Sequence, residues 1–282
     1  MLAEKAHFPV RVMARVLGVT ASGYYAWRGR PLITPHIRRN NALRQRICLI
    51  HAASRGTYGS PRVLRALRHE GTRVGRNRVM RLMRSEQLRG RPRRRFRLTT
   101  HSDVAAEPAP NHLARRFTVD APNRVWAGDI TALPTAQGWI YLAVLIDLWS
   151  RRVVGWAVRP TLDTELVTAT WYLAVGRRQT APWLHHSDRG SQYTSVVYQQ
   201  LLARRRVVCS MSRSGNCWDN APVESFFRTL KVELVPDVIW PTRAVAIEGI
   251  HDYIERFYNT ERLHSSLGYQ SPVRFEAHAP AG

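Results

Sequence analysis

Cysteine is scarce in this chain: three in 282 residues, Cys48, Cys209 and Cys217, at no CxxC spacing. So sparse and odd a count argues against a disulfide scaffold and fits a reducing compartment. Long apolar runs are also missing. The longest, Trp139 to Ile146, is far too short to span a bilayer. The opening MLAEKAHFPVRVMARVLG lacks the apolar stretch of a signal peptide. Secreted and membrane-spanning classes are therefore not expected, and a cytoplasmic, nucleoid-associated location is. Lysine is nearly absent, with Lys5 and Lys231 the only two among 43 basic residues. A GC-rich genome produces that bias by itself, so it carries no functional weight.

Acidic residues are few, and their distribution is informative. Residues 1–117 hold five acids against 26 bases, net +21, whereas 118–282 hold 15 against 17, net +2. Concentrating the charge in one part of the chain is an electrostatic footprint for a polyanion. Apolar content of 44% and charged content of 22% are ordinary for globular chains, so wholesale disorder is excluded.

The basic part reads as short helices. Phe8–Leu17 and Thr20–Trp27 flank Gly18, and Asn40–Ala53 carries Leu43, Ile47 and Ile50 on one face. In YGSPRVLRALRHEG, Ser60 is the expected N-cap and Pro61 the first helical residue. RNRVMRLMRSEQL then sets Val79, Leu82 and Met83 against Arg78, Arg81 and Arg84. Two helices around a Gly turn, the second rich in arginine, suggest a helix-turn-helix. The run RGRPRRRFR, with Arg91, Arg93, Arg94 and Arg95, cannot pack and suits an arm that tracks phosphates. The expected organisation is a helical DNA-binding region over 1–98, a linker over 99–121 and a second domain over 122–282.

From Arg124 the pattern changes. RVWAGDIT, WIYLAVLIDL and RRVVGWAV read as strands, the first two separated by Pro134–Gly138. Helix, strand, helix, strand and helix follow, then a long helix with Ile247, Ile250, Ile254 and Phe257. The implied fold is α/β, a mixed sheet flanked by helices. The tryptophans concentrated here read as core and rim packing.

Three acids stand where acids are unwelcome: Asp129 inside the first strand, Asp188 at the end of the fourth, and Glu224 at the start of a helix. Each alone has an ordinary reading, such as a turn or helix-terminus role. Brought to one sheet edge, three carboxylates raise one another's pKa unless a cation sits among them. All-oxygen ligands suit Mg²⁺ or Mn²⁺, and two ions can serve both oxygens of a phosphodiester exchange. Asp188 and Glu224 are separated by thirty-five residues, and Arg228 and Lys231 share a helix face with Glu224. His186 reads as a satisfied buried histidine, Asp147 as a turn residue and Asn220 as a helix N-cap.

These motifs resemble the DDE transposases of bacterial insertion sequences, specifically the downstream-frame catalytic product of the insertion sequence 3 family. The likeness runs through RVLGVTASGYYAW, YGSPRVLRAL, PNRVWAGDIT, YLAVLIDLWSRRVVGW, HHSDRGSQYTS, SRSGNCWDNAPVESFFRTLK and YNTERLHSSLGYQSPVRFE. It implies an RNase H-like core related to retroviral integrases, with Asp129, Asp188 and Glu224 as catalytic ligands of two Mg²⁺ or Mn²⁺ ions. Lys231 is then a DNA contact, and the reaction is DNA cleavage with strand transfer. The zinc module of retroviral integrases is not expected, since the N-terminal half has one cysteine. The resemblance also implies double-stranded DNA, a homo-oligomer and the element's upstream-frame product as partners. A transposase-derived regulator and a purely hydrolytic RNase H-like nuclease are the alternatives. Intact acids disfavour the first, and the large basic region disfavours the second.

Overall fold

A computed structural model describes residues 1–29, 34–91, 109–214, 216–235 and 239–278. Five helices open the chain: α1 (Val10–Val16), α2 (Ala21–Arg28), α3 (Pro35–Ala53), α4 (Ser60–His69) and α5 (Arg76–Ser85). Thr20 and Thr34 cap α2 and α3, accepting from Gly23 and Ile37 N–H groups. At α4 the cap falls one residue earlier than expected. Gly59 holds the cap position and Ser60 is already helical, so Pro61 is the second helical residue. Helices α3, α4 and α5 pack together through Leu43, Ile47, Val63, Leu67, Val79 and Leu82. Helices α1 and α2 close only a small cluster of Val10, Met13 and Tyr24.

The second half is a five-stranded sheet in the order β3-β2-β1-β4-β5. Strands β1 (Val125–Thr135), β2 (Gly138–Asp147) and β3 (Val153–Arg159) form an antiparallel meander, while β4 (Leu184–Ser187) joins β1 in parallel and β5 (Val208–Met211) joins β4. Strand β1 runs through Pro134, past the expected break. Its pairing with β4 covers only Val125–Ala127, so at Pro134 that side carries no neighbouring strand, only the isolated bridge of Thr135 with Trp240, and a missing N–H is tolerated there. Helix α6 (Thr164–Arg178) lies across β3 and β2. It comes so close at Gly155 that a Cβ there would meet the Thr170 carbonyl at 2.5 Å. Helices α7 (Ser191–Thr194), α8 (Val196–Arg204), α9 (Ala221–Glu233), α10 (Arg243–His251) and α11 (Pro272–His278) complete the chain, and α10 continues into a π-helical turn at Asp252–Tyr258.

The two halves share one core. The apolar cluster that holds Ile47, Leu67 and Leu82 also holds Ile140, Leu230, Ile254 and Phe257. Polar contacts reinforce the junction. Tyr58 Oη accepts from the Leu263 N–H at 2.7 Å, Arg62 donates to the Leu263 carbonyl at 3.1 Å, and Arg55 pairs with Asp252 at 2.7 Å. Residues 109–121, expected as linker, dock on the sheet instead. Leu113 is buried, and the His112 and Leu113 N–H groups both donate to Ser210 Oγ.

Candidate active site at the β1–β4 edge

Register brings the first two acids together. Strands β1 and β4 run in parallel with Ala127 opposite His186. Asp129 and Asp188 each lie two residues beyond that pair, where the Asp188 charge is felt at Asp129. Gly128 makes this packing possible: a Cβ there would meet the His185 ring and Leu145 at 3.0 Å. Asp129 Oδ1 accepts from the Ile130 N–H at 2.8 Å, and Asp188 Oδ1 from the Gly190 N–H at 3.0 Å.

Helix α9 brings the third. Val223, Phe226, Phe227 and Leu230 bury its back, leaving Glu224 half-buried in its first turn and Lys231 in its last. Asn220 occupies the N-cap position, yet its side chain makes no capping bond. Its Nδ2 donates to the Gly128 carbonyl at 3.0 Å. The expected cap is thus a tether between the helix of Glu224 and the strand of Asp129.

Burial pushes the Asp129 carboxyl well above the usual carboxylate range. Asp188 and Glu224 push it further, against the Ile130 N–H and the Lys231 ammonium. Burial also raises Asp188, opposed by the Gly190 N–H, and Glu224, opposed by Arg228. Lys231 is lowered by burial and held up by Asp129. Asp129 therefore sits in the field of both other acids and of Lys231. No three of the described His, Cys, Asp and Glu side chains form a group that could hold a metal ion as they stand. The donors around Asp129 are carboxylate oxygens, the set that suits a hard divalent cation.

The loop before α9 is held by Asp219, which is fully buried. It accepts from Asn111 Nδ2 at 2.9 Å, Arg115 Nε at 2.8 Å, the Arg213 N–H at 3.1 Å, and Arg213 Nε and Nη2 at 2.9 Å each. These bonds hold its carboxyl far below the usual range. Arg115 reaches it from a left-handed backbone, φ 62°, directly after Ala114 at φ 46°. Two such residues in succession are strained, and Asn111 accepting from the Ala114 N–H steadies them. Sequence reasoning assigns Asp219 no role, because its burial depends on Asn111 and Arg115, about a hundred residues earlier, as well as on nearby Arg213.

His186 is buried, with Nδ1 against Ser210 Oγ at 2.9 Å and Nε2 against Ser212 Oγ at 3.2 Å, the satisfied histidine expected. Asp147 accepts from the Asn123 and Trp149 N–H groups at 2.8 and 2.9 Å, a turn role. Among the arginines of the basic region, Arg81 and Arg84 stand exposed on α5. Arg78 turns inward, donating twice to Asn40 Oδ1 at 3.1 and 2.7 Å. Arg91 donates to the Val232 and Glu233 carbonyls at the end of α9, 3.1 Å each. Arg93, Arg94 and Arg95 lie outside the described residues. Trp126 and Trp171 are buried as expected, whereas Trp139, Trp183 and Trp218 are more than half exposed.

A mixed five-stranded sheet flanked by helices, behind a helical basic region, is the architecture expected of the DDE class of transposases and integrases. Family models agree. Residues 119–217 and 205–272 match integrase core domains, and 38–96 match an HTH-like domain. An uncharacterised 31 kDa protein of insertion element IS600 from Shigella sonnei is 40% identical over 93% of this chain and 97% of its own. The transposase InsF of insertion sequence IS3fB from Escherichia coli K12 is 38% identical over 97% of this chain and 96% of its own. A chain of the simian T-cell lymphotropic virus intasome, at 16% identity and TM-score 0.48 over 83% of this chain and 75% of that one, is too loose a likeness to add to the assignment. The chain belongs to the IS3 family of DDE-type transposases.

Proposed function

We propose that this transposase cleaves DNA at the ends of its insertion element and transfers the freed strands to target DNA, with Asp129, Asp188 and Glu224 holding two Mg²⁺ or Mn²⁺ ions. The observation that carries the reading is the placement of Asp129 on β1, Asp188 just past β4 and Glu224 in the first turn of α9, a helix that Asn220 ties to β1. Divalent ions bound there would activate an attacking oxygen and stabilise the leaving one. Asp129 and Asp188 supply oxygens from adjacent strands, and Glu224 supplies them from a helix tethered to the first strand by Asn220. Lys231, beside Asp129, and exposed Arg228 meet the phosphates flanking the scissile bond. Arg81 and Arg84 of α5, with the arginine run that follows, bind duplex backbone, so affinity is strongly salt-dependent.

Working partners are the element ends, the target duplex, a second copy of this chain and the upstream-frame product. Joining two ends needs two protomers in fixed relation, and the sequence shows no sustained heptad run to supply a zipper. Among the described residues no helix is long and apolar enough to cross a membrane, and a DNA substrate puts the working enzyme at the nucleoid.

A Mg²⁺-dependent assay on labelled element ends tests the reading. The full chain, with the upstream product supplied, is expected to yield joined strands, and Asp188→Ala none. Release of cut ends that are never joined would favour a purely hydrolytic nuclease.

A further inference from the structure

Trp218 is 67% exposed, although Asn216, two residues before it, and Asp219, the next after it, are both bonded to arginine. On one side, the Asn216 side chain accepts from Arg115 Nη2 at 2.9 Å. On the other, Asp219 is locked by Arg115, Arg213 and Asn111, and Asn220 is bonded to the Gly128 carbonyl. The 3₁₀ turn Cys217–Asn220 therefore holds Trp218 outward on a firm base. Burial would release a large apolar surface from water.

Its surroundings specify the ligand. Asn220, two residues on, is tied to Gly128, which immediately precedes Asp129, so the turn that carries Trp218 is anchored to the strand of Asp129. Arg213 and Arg115 keep 56% and 45% of their side chains exposed while satisfying Asp219, and Arg228 is exposed one helical turn beyond Glu224. An aromatic face among guanidinium groups is the composition that receives a nucleic-acid strand, with phosphates on the arginines and a base on the ring. An apolar patch meant for another protein chain is disfavoured by those flanking charges, since interface centres are depleted of charge.

We propose that Trp218 stacks on a base unpaired at the end of the element, beside the scissile phosphate, and that this holds the strand in place for reaction. The inference rests on the strand-transfer reading. Stacking on one base is worth about 1–3 kcal/mol, or roughly a 5- to 150-fold effect on the joining rate. Most of the duplex affinity, set elsewhere by charge, is left unchanged.

The test uses the full chain and element-end duplexes carrying 5-iodouracil at successive terminal positions. Irradiation of the complex without divalent ions is expected to cross-link one terminal base to the peptide containing Trp218, and Trp218→Ala is expected to abolish that product. In the joining assay, Trp218→Ala should lose about 5- to 150-fold on paired ends, Trp218→Phe should lose less, and ends with unpaired terminal bases should restore most of the rate. Cross-links mapping elsewhere, or a Trp218→Ala loss equal on paired and unpaired ends, would overturn the proposal. A changed sedimentation coefficient in Trp218→Ala would also overturn it, assigning the residue to a protein contact. Because the cross-link needs no turnover, failure of wild-type joining removes the strand-transfer reading separately from this one.

Discussion

Asn220 donates its side-chain amide to the carbonyl of Gly128 at 3.0 Å, and that bond joins the helix of Glu224 to the strand of Asp129. Asn220 is buried, so its loss leaves the carbonyl unpaired. Asn220→Ala is expected to cost about 1–3 kcal/mol of stability. It should also lower joining at temperatures where the variant is fully folded. Denaturant unfolding beside the joining rate separates the two effects, and a folded Asn220→Ala with full activity would show that the tether does not position Glu224.

Metal-free protein carries the repulsion around Asp129. Asp129→Asn removes one of the mutually repelling charges, so without divalent ions its melting temperature is expected to equal or exceed that of the wild type. Added Mg²⁺ should then raise the wild-type melting temperature and leave that of Asp129→Asn unchanged. Thermal scans with and without Mg²⁺ read both effects.

The basic region and the catalytic sheet should unfold together. Glu233, at the end of α9, is buried and accepts from Arg262 Nε and Nη2 at 2.7 Å each and from Tyr253 Oη at 2.9 Å, with Arg62 of α4 3.9 Å away. Glu233→Ala leaves buried Arg262 uncompensated, and a loss of about 3–5 kcal/mol is expected. Probes in α4 and α9 should report one coincident transition. Residues 118–282 alone, stripped of the helices that cover Leu263 and Phe257, are expected to be aggregation-prone.

Acid should destabilise the fold in a defined window. Burial lowers His185 and His264 to about 3 each, so both rings are neutral in the folded chain. The unfolded chain takes up these protons below about pH 6.5, whereas the folded chain resists until near pH 3. Their contribution is complete above about 6.5 and drains away as pH falls toward 3, by about 1.4 kcal/mol per pH unit for each ring. Denaturant midpoints at pH 7.5 and 5 should show that loss, reduced in variants that replace either ring with an uncharged side chain.

The arginines of α5 should divide into two kinds. Arg81→Ala and Arg84→Ala are expected to lower the slope of log affinity against log salt by about one each. Arg78→Ala breaks its bonds to Asn40 and should lower stability instead. Salt titrations of duplex binding, with melts of the same proteins, distinguish them.

Much of this was legible along the chain because it is local and periodic. The faces of α3, α4 and α5, the meander and the three misplaced acids follow from spacing alone. Long-range events were not legible. Asn220 read as a cap because its neighbours are helical, and only the arrival of β1 beneath it supplies the carbonyl it binds. Glu233 and Arg91 bond to partners well separated along the chain, and Asp219 joins nearby Arg213 to distant Asn111 and Arg115, so no short window of sequence contains the whole of these interactions. Residues 99–121 read as linker from Pro108 and Pro110, while Ser210 and Asp219, which dock its described part, lie about a hundred residues away. Trp218 read as packing because tryptophan usually is, and its exposure depends on how the turn before α9 is pinned.

Glu224 gives the most direct test of the central claim, because it reaches the acidic site from a helix rather than from the sheet. The measurement is Mg²⁺-dependent joining of labelled element ends by Glu224→Gln, compared with the wild type at equal folded concentration and equal bound DNA. The account predicts that the variant binds DNA as the wild type does, melts no lower, and forms no joined product. Joining at the wild-type rate by folded Glu224→Gln would contradict it.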